Sequence, residues 1–455
     1  MRISPLRLAR MLMLALVLAL AVVRPAAAQS VLRDSETELL FRDISRPLIA
    51  AAGLDPKTNV VLLNDPEINA FVAQGQTVYL QSGLITASDN VNQVQGVIAH
   101  ELGHIAGGHS IRMAGGVSEA TGITVATMLL GALAMAAGAG DAAMGIMMAG
   151  QRAAIAKFLA FSRTQESSAD LAGARYLSAA GISGRGSVEF FKKLTNQEYR
   201  LAIYAKDSYD RTHPLSQERV TTLQELYSKD PAWDRPPDPQ LEARFQRVKA
   251  KLTGFVNPKQ ATVKYPESDK SVPAHYARAY AYHVGAYPEK ALSEANALLA
   301  TNPDDPFFLE LKGQILLESG RPMEAIAPLR EATRRSGDDP LIASMLGHAL
   351  ISTERKEHFA EAKQVLKSAV NRDNQNPFAW YQLGIIYDRE GDPARAALAT
   401  AERNNLEGKP KLALASAEQA LKGIPSGTPD YLRAQDIALV SRAELKKDKK
   451  NRSKD

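Results

Sequence analysis

The 455-residue chain is too long for a single domain, and its 45% apolar, 23% charged composition is that of a globular protein with two or three. It has no cysteine, which excludes disulfides, thiolate metal sites and thiol nucleophiles, so any metal must be held by His, Asp or Glu. The formal charge of +5 sits at the ends: residues 1–28 carry four arginines and no acid, and Lys446–Asp455 carry six bases and two acids. The body between is therefore about −3, which excludes a basic nucleic-acid face.

Residues 1–28 read as a secretory signal peptide. Arg2, Arg7 and Arg10 form the positive region, Met11–Val23 is an uncharged apolar run, and Ala26-Ala27-Ala28 supplies the cleavage site, so the mature chain starts at Gln29. A retained anchor is the competing reading, but the run is short for a membrane span. The scattered arginines favour general secretion, with a bacterial-type periplasm as destination. Residues 30–51 then predict a helix interrupted at Pro47. Asn59–Asn64 predicts a strand, and Asn69–Ala73, Gln74-Gly75-Gln76 and Thr77–Leu80 predict a hairpin. Next to a catalytic helix such a hairpin offers an edge on which a peptide can add as a strand, or is simply structural.

Asn90–His109 predicts a helix ending at Gly107-Gly108, and it carries His100-Glu101-Leu102-Gly103-His104. Histidines four apart share a helix face and can reach one Zn²⁺. Glu101 then lies beside the open metal position, where a carboxylate can take a proton from water. From Ile123 to Gly140 there is no charged residue, and Met, Ala and Gly dominate residues 117–150. Three readings fit: a buried helical hairpin over the site, a Met-rich lid or substrate-contacting surface, or a membrane insertion. Residues 153–230 predict helices with a turn at Gly181, Gly184 and Gly186, and 231–273 a Pro-rich linker with one short helix near 240–252.

Residues 274–445 repeat. Asp304-Asp305-Pro306 and Asp338-Asp339-Pro340 lie 34 residues apart and Asn376-Pro377 follows 37 later, with Gly313, Gly347 and Gly384 at one offset. This period predicts four to five tetratricopeptide helix–turn–helix units, an α-solenoid suited to extended peptides or partner proteins. His275, His283, His348 and His358 have no ligand spacing. The basic end, 446–455, predicts a disordered tail.

A catalytic zinc needs a third protein ligand and an open position. His109 falls one residue short of the metzincin spacing, which ends at Ser110. Glu119, Glu166 and Glu189 are the carboxylate candidates. Glu166 stands out because Asp170 shares its helix face, so one can bind metal while the other accepts from a ligand histidine.

His100–His104, Glu166-Ser167-Ser168-Ala169-Asp170 and His213-Pro214-Leu215-Ser216-Gln217-Glu218-Arg219 together resemble the H-E-x-x-H, E-x-x-A-D and H-P-x-x-x-x-R motifs of the HtpX-like gluzincin peptidases. The leader and repeats narrow the resemblance to the branch of beta-barrel assembly-enhancing proteases. The implied fold is mainly α: a gluzincin metalloprotease domain (29–230) with a small β-sheet, followed by the repeat solenoid. The implied cofactor is one Zn²⁺ per chain, on His100, His104 and Glu166, with Glu101 as general base and Asp170 in support. His213 would be a fourth, resting-state ligand or an oxyanion stabiliser, and Arg219 would orient its loop. The implied activity is a periplasmic endopeptidase with a chaperone-like role, acting on outer-membrane β-barrel proteins and degrading those stalled in assembly. A holdase or adaptor with a mostly latent zinc site, and a membrane-embedded protease, are the alternative readings. Relatives with cysteines in the repeats differ from this chain, which removes any disulfide to a partner but not the catalysis.

Overall fold

The computed structural model describes residues 30–73, 76–136, 140–201, 213 and 217–452. The expected signal peptide (1–28), Gln74-Gly75, Pro214–Ser216 and the last three residues lie outside them. The sheet has the order β1-β2-β4-β3, from β1 (Val31–Leu32), β2 (Asn59–Leu63), β3 (Ala70–Ala73) and β4 (Thr77–Gln81). β3 and β4 form the expected antiparallel hairpin, in a register that stacks Phe71 on Tyr79, while β2 runs parallel to β4. β3 is thereby an edge strand beside the site.

Helix α1 (Ser35–Ala51) starts where the Asp34 carboxylate accepts from Thr37 N–H. It runs through Pro47 without a break, because Pro47 lies on the exposed face, where water can satisfy the carbonyl that its missing N–H leaves free. After α2 (Ser82–Ala87), α3 (Val91–Ala106) is capped by the Asn90 side chain and is buried from Val91 to Gly103. Its apolar side, Val94, Val97, Ile98 and Leu102, closes the core against Leu40, Ile44 and Leu48 of α1 and Val78 and Leu80 of β4. The motif helix thus ends three residues earlier than expected, and His109 opens the next one.

α4 (His109–Ala136) and α5 (Gly140–Ala179) pair as a long antiparallel hairpin. The buried reading of 117–150 is overturned: the hairpin projects, and only 6% of the Gly115–Met135 window is buried. α6 (Arg185–Leu201) and α7 (Gln217–Tyr227) complete the unit.

Residues 231–273 are not a linker. They form α8 (Pro239–Val256), started by Pro239 and capped by Asp238, and α9 (Pro258–Lys264). Phe245, Val248 and Leu252 join the core, so the prolines initiate helices rather than open a tether. Five helix pairs follow: α10 (Val272–Val284) with α11 (Pro288–Thr301), α12 (Pro306–Glu318) with α13 (Pro322–Arg335), α14 (Pro340–Ser352) with α15 (Phe359–Arg372), α16 (Pro377–Arg389) with α17 (Pro393–Leu406), and α18 (Pro410–Gly423) with α19 (Pro429–Arg452). A proline at the first helical turn behind an Asp or Asn cap recurs in α12, α14 and α16. A Cβ on Gly313 or Gly347 would stand about 2.5 Å from Leu329 or Leu366, so these glycines let paired helices close. The basic tail is helical to Arg452, its Lys and Arg residues being good helix formers that extend α19.

A charged collar joins the repeats to the peptidase unit. Lys251 of α8 lies 2.6 Å from Asp34 and 3.2 Å from Glu36; Arg247 bridges Glu36 and Asp305, each at 2.8 Å; Ser35 donates to Asp339 and Tyr276 to Glu36. Beside it on α12, burial pushes the Glu310 carboxyl up to about 8, although Lys251 pulls the other way. A carboxyl raised by folding contributes stability at low pH that is lost as pH climbs from the ordinary carboxylate range through about 8. Glu310→Gln should therefore match the wild type in denaturant midpoint near pH 5 and exceed it near pH 8.5, by on the order of 1–3 kcal/mol. Parallel pH profiles for the two proteins would remove Glu310 as the source.

Candidate metal centre

Two helices build the site. α3 presents His100, Glu101 and His104, and α5 presents Glu166 and Asp170. They cross where Gly103 meets Ala169: a Cβ on Gly103 would stand 2.6 Å from the Ala169 carbonyl oxygen. Any side chain there would force the helices apart and carry the α5 carboxylates away from the histidines. Beyond the motif, Gly108 (φ +61°) turns the chain from α3 into α4, a conformation costly for other residues.

His100, His104, Glu166 and His213 are all buried, and one ligand-type atom from each lies within 4.8 Å of all the others. His100 Nε2 is 3.1 Å from His104 Nε2, 3.4 Å from His213 Nδ1 and 3.4 Å from Glu166 Oε2. His104 Nε2 is 3.5 Å from Glu166 Oε1, and His213 Nδ1 is 3.2 Å from Glu166 Oε2. Three imidazole nitrogens and one carboxylate converging at this spacing suit a borderline divalent ion such as zinc. Of the other carboxylates weighed from the sequence, Glu119 pairs with Lys157 at the surface and Glu189 is exposed.

A second layer orients these groups. Asp170 Oδ1 lies 2.9 Å from His100 Nδ1, the nitrogen facing away from the cluster. Arg219 Nε and Nη2 donate to Asp170 at 2.8 and 2.9 Å, and Nη2 lies 3.2 Å from Glu166. Arg219 thus holds the two α5 carboxylates, a wider role than orienting the His213 loop. His109 does not join the ligand cluster. Its ring folds over Gly107 and brings Nδ1 to 2.9 Å from His104 Nδ1, so it orients a ligand instead. The sequence signal for this role is its position just past the two glycines that end α3.

Burial resists charge on His100, Glu101, His104, Glu166 and Asp170. Asp170 and Glu166 outweigh it at His100 and raise that imidazole to about 10. Burial and the neighbouring His100 depress His104 to about 2, leaving it in the neutral, ligating form. Against burial, His100 and His213 hold Glu166 well below the ordinary carboxylate range. Burial pushes Glu101 up. Among the described residues no donor hydrogen-bonds either buried Glu101 carboxylate oxygen, and His213 Nε2 stands 3.4 Å from Oε1. A carboxylate kept dry beside a cation site is poised to accept a proton from water. Asp170→Asn should cut retention of the metal by about 10- to 100-fold in a chelator titration, whereas Glu101→Gln should leave it unchanged; equal loss in both would show that Asp170 does not act through His100.

Residues 34–227 match the model of peptidase family M48. The beta-barrel assembly-enhancing protease of Escherichia coli (strain K12) is 27% identical over 82% of this chain and 76% of its own length. The protein of the same name from Yersinia pestis is 25% identical over the same shares. A Vibrio cholerae relative is 27% identical over 62% of this chain and 59% of its own length.

Proposed function

Residues 34–227 of this chain are a peptidase family M48 domain, and on that premise we propose that the protein is an exported zinc endopeptidase acting on outer-membrane β-barrel proteins during assembly. The observation that carries the peptidase chemistry is the cluster of His100, His104 and Glu166 with the buried carboxylate of Glu101 beside it. Zinc held by those three residues would supply Lewis acidity toward a scissile carbonyl and a water of lowered pKa. Glu101 takes the proton of the attacking water and returns it to the leaving amine. Asp170 and His109 keep His100 and His104 turned inward, and Arg219 holds both α5 carboxylates in place.

The β-barrel client follows from the names of the relatives and agrees with the edge at β3. Unassembled barrel strands carry unpaired backbone groups, and an edge strand beside the cleft recognises them by strand addition. His213 stands in the way twice. Its Nδ1 completes the ligand cluster, and its Nε2 lies 3.2 Å from the outward carbonyl of Ala70 on β3. Strand periodicity puts the backbone groups of Val72 on the same side. A peptide adding to β3 therefore competes with His213 for Ala70 and for its place beside His100, His104 and Glu166. This supports a resting enzyme that is closed, with four protein ligands. The repeats hold clients or the assembly machinery, and a leader at 1–28 places the work in the periplasm.

Glu101→Gln should retain fold and metal and lose cleavage of an unfolded β-barrel polypeptide by at least 10²-fold. Full cleavage by the purified, metal-replete variant would end the assignment. His213→Ala should raise the cleavage rate at equal metal content; a lowered rate instead makes His213 an oxyanion stabiliser, and an unchanged rate removes both roles.

A further inference from the structure

The hairpin α4–α5 plays no part in the chemistry above except at its base, yet among the described residues it holds the one helix long and apolar enough to cross a membrane. Gly115–Met135 has a mean hydropathy of 1.5 and is almost wholly uncovered. The packed small residues fix the register of the pair: Gly131 lies against Met147 and Ala143, Gly150 against Thr127, and Gly116 against Phe161. From that register each charge can be placed by height. Arg152 lies just below the Thr127–Gly150 level, the Lys157–Glu119 pair lower, and Arg163 and Arg112 at the base. Above Thr127 the α4 arm is free of charge. From Thr127 to Ala136 it rises about 15 Å at 1.5 Å per residue.

We propose that this tip inserts into one leaflet of a lipid bilayer, with Arg152 and Lys157 at the headgroups. Half of a hydrocarbon core is about 15 Å, which matches the charge-free length. The apolar surface is not a stripe. Val125, Met128, Leu129, Leu130, Leu133 and Met135 are exposed around the whole side of α4 that α5 does not cover, and Met144 and Met148 continue it on α5. A protein partner covers one face of a helix, whereas lipid covers all of them. Arg112, Arg152, Lys157 and Arg163 outnumber Glu119 below the tip, which favours anionic headgroups. The carboxylate at odds with insertion is Asp141, at the start of α5. Along α5, Glu166 lies 16 residues from Gly150, about 24 Å, so insertion would hold the metal cluster above the membrane surface within reach of a strand emerging from it. The inference rests on exposure, length and charge, and stands apart from the peptidase reading.

The test is flotation of the purified mature protein with phosphatidylglycerol–phosphatidylethanolamine vesicles. Wild type should float, Leu133→Asp should lower the partition coefficient at least tenfold, and Asp141→Ala should raise it. Since the chain has no cysteine, Leu133→Cys and Leu159→Cys each take one environment-sensitive fluorophore. Vesicles should shift the emission of the tip label to that of hydrocarbon and leave the label at 159 polar. Leu133→Asp faces solvent, so an unchanged melting temperature will confirm that it folds. Failure of wild type to float, flotation indifferent to Leu133→Asp, or a tip label that stays aqueous would each overturn the proposal. So would a concentration-dependent dimer, or capture of an unfolded barrel polypeptide without vesicles, that Leu133→Asp abolishes.

Discussion

The close crossing of α3 and α5 at Gly103 and Ala169 is the constraint on which the rest depends. H-E-x-x-H by itself aims two imidazoles in one direction and leaves the metal half ligated. The second half comes from a helix more than sixty residues away, and it arrives only because the helix backbones touch. The absence of a side chain at Gly103 is therefore as much a part of the site as the histidines. Gly173 repeats the device one turn further along α5, where a Cβ would stand 3.1 Å from the Ala99 carbonyl. The crossing also explains the burial of so many ionisable groups. Helices this close exclude water, so each charge must find an opposite one, and the Arg219–Asp170–His100 relay is the arrangement that results.

The same logic recurs where the peptidase unit meets the repeats. The acids at 34 and 36 face Arg247 and Lys251 of α8, and Asp305 and Asp339, which cap repeat helices, face Arg247 and Ser35. Asp373 at the end of α15 reaches Arg33. The junction is polar, spread over three successive repeats and braced by α8, whose other side enters the peptidase core. Individually exposed pairs contribute little, but Lys251 and Glu36 are buried and cannot separate without leaving a charge in a dry place. The repeats are thus held in a defined orientation.

Much of this was legible in the sequence for local reasons. Imidazoles at i and i+4, a proline behind an Asp cap, and a 34-residue period all signal through spacing alone. Glu166 was legible because Asp170 follows one helical turn later and the pair resembles a known motif. What was not legible depends on burial. The prolines of 231–273 look like a linker in one dimension; only the packing of Phe245, Val248 and Leu252 against the core shows that they begin helices. The Met-, Ala- and Gly-rich run reads equally as core or as surface, because hydropathy measures what a segment can bury and not whether anything covers it. His109 was weighed as a ligand by its spacing, yet a turn at Gly108 sends it to the far side of His104.

His213 ties the site to the sheet, and this bears on what kind of substrate can open it. It faces the ligand cluster with one ring nitrogen and the Ala70 carbonyl with the other, so a displacement that frees either contact strains the second. A folded protein, whose backbone groups are already paired, has nothing to offer Ala70. A polypeptide held extended, with free N–H groups, can replace that contact with its own hydrogen bond and so offsets the cost of moving the imidazole. On the proposed function, selectivity for unassembled strands would arise from backbone chemistry at β3 rather than from side-chain pockets. It is fitting that the nearest rings on that strand pair, Phe71 and Tyr79, stack on one another and form a flat apolar rim instead of a specificity pocket.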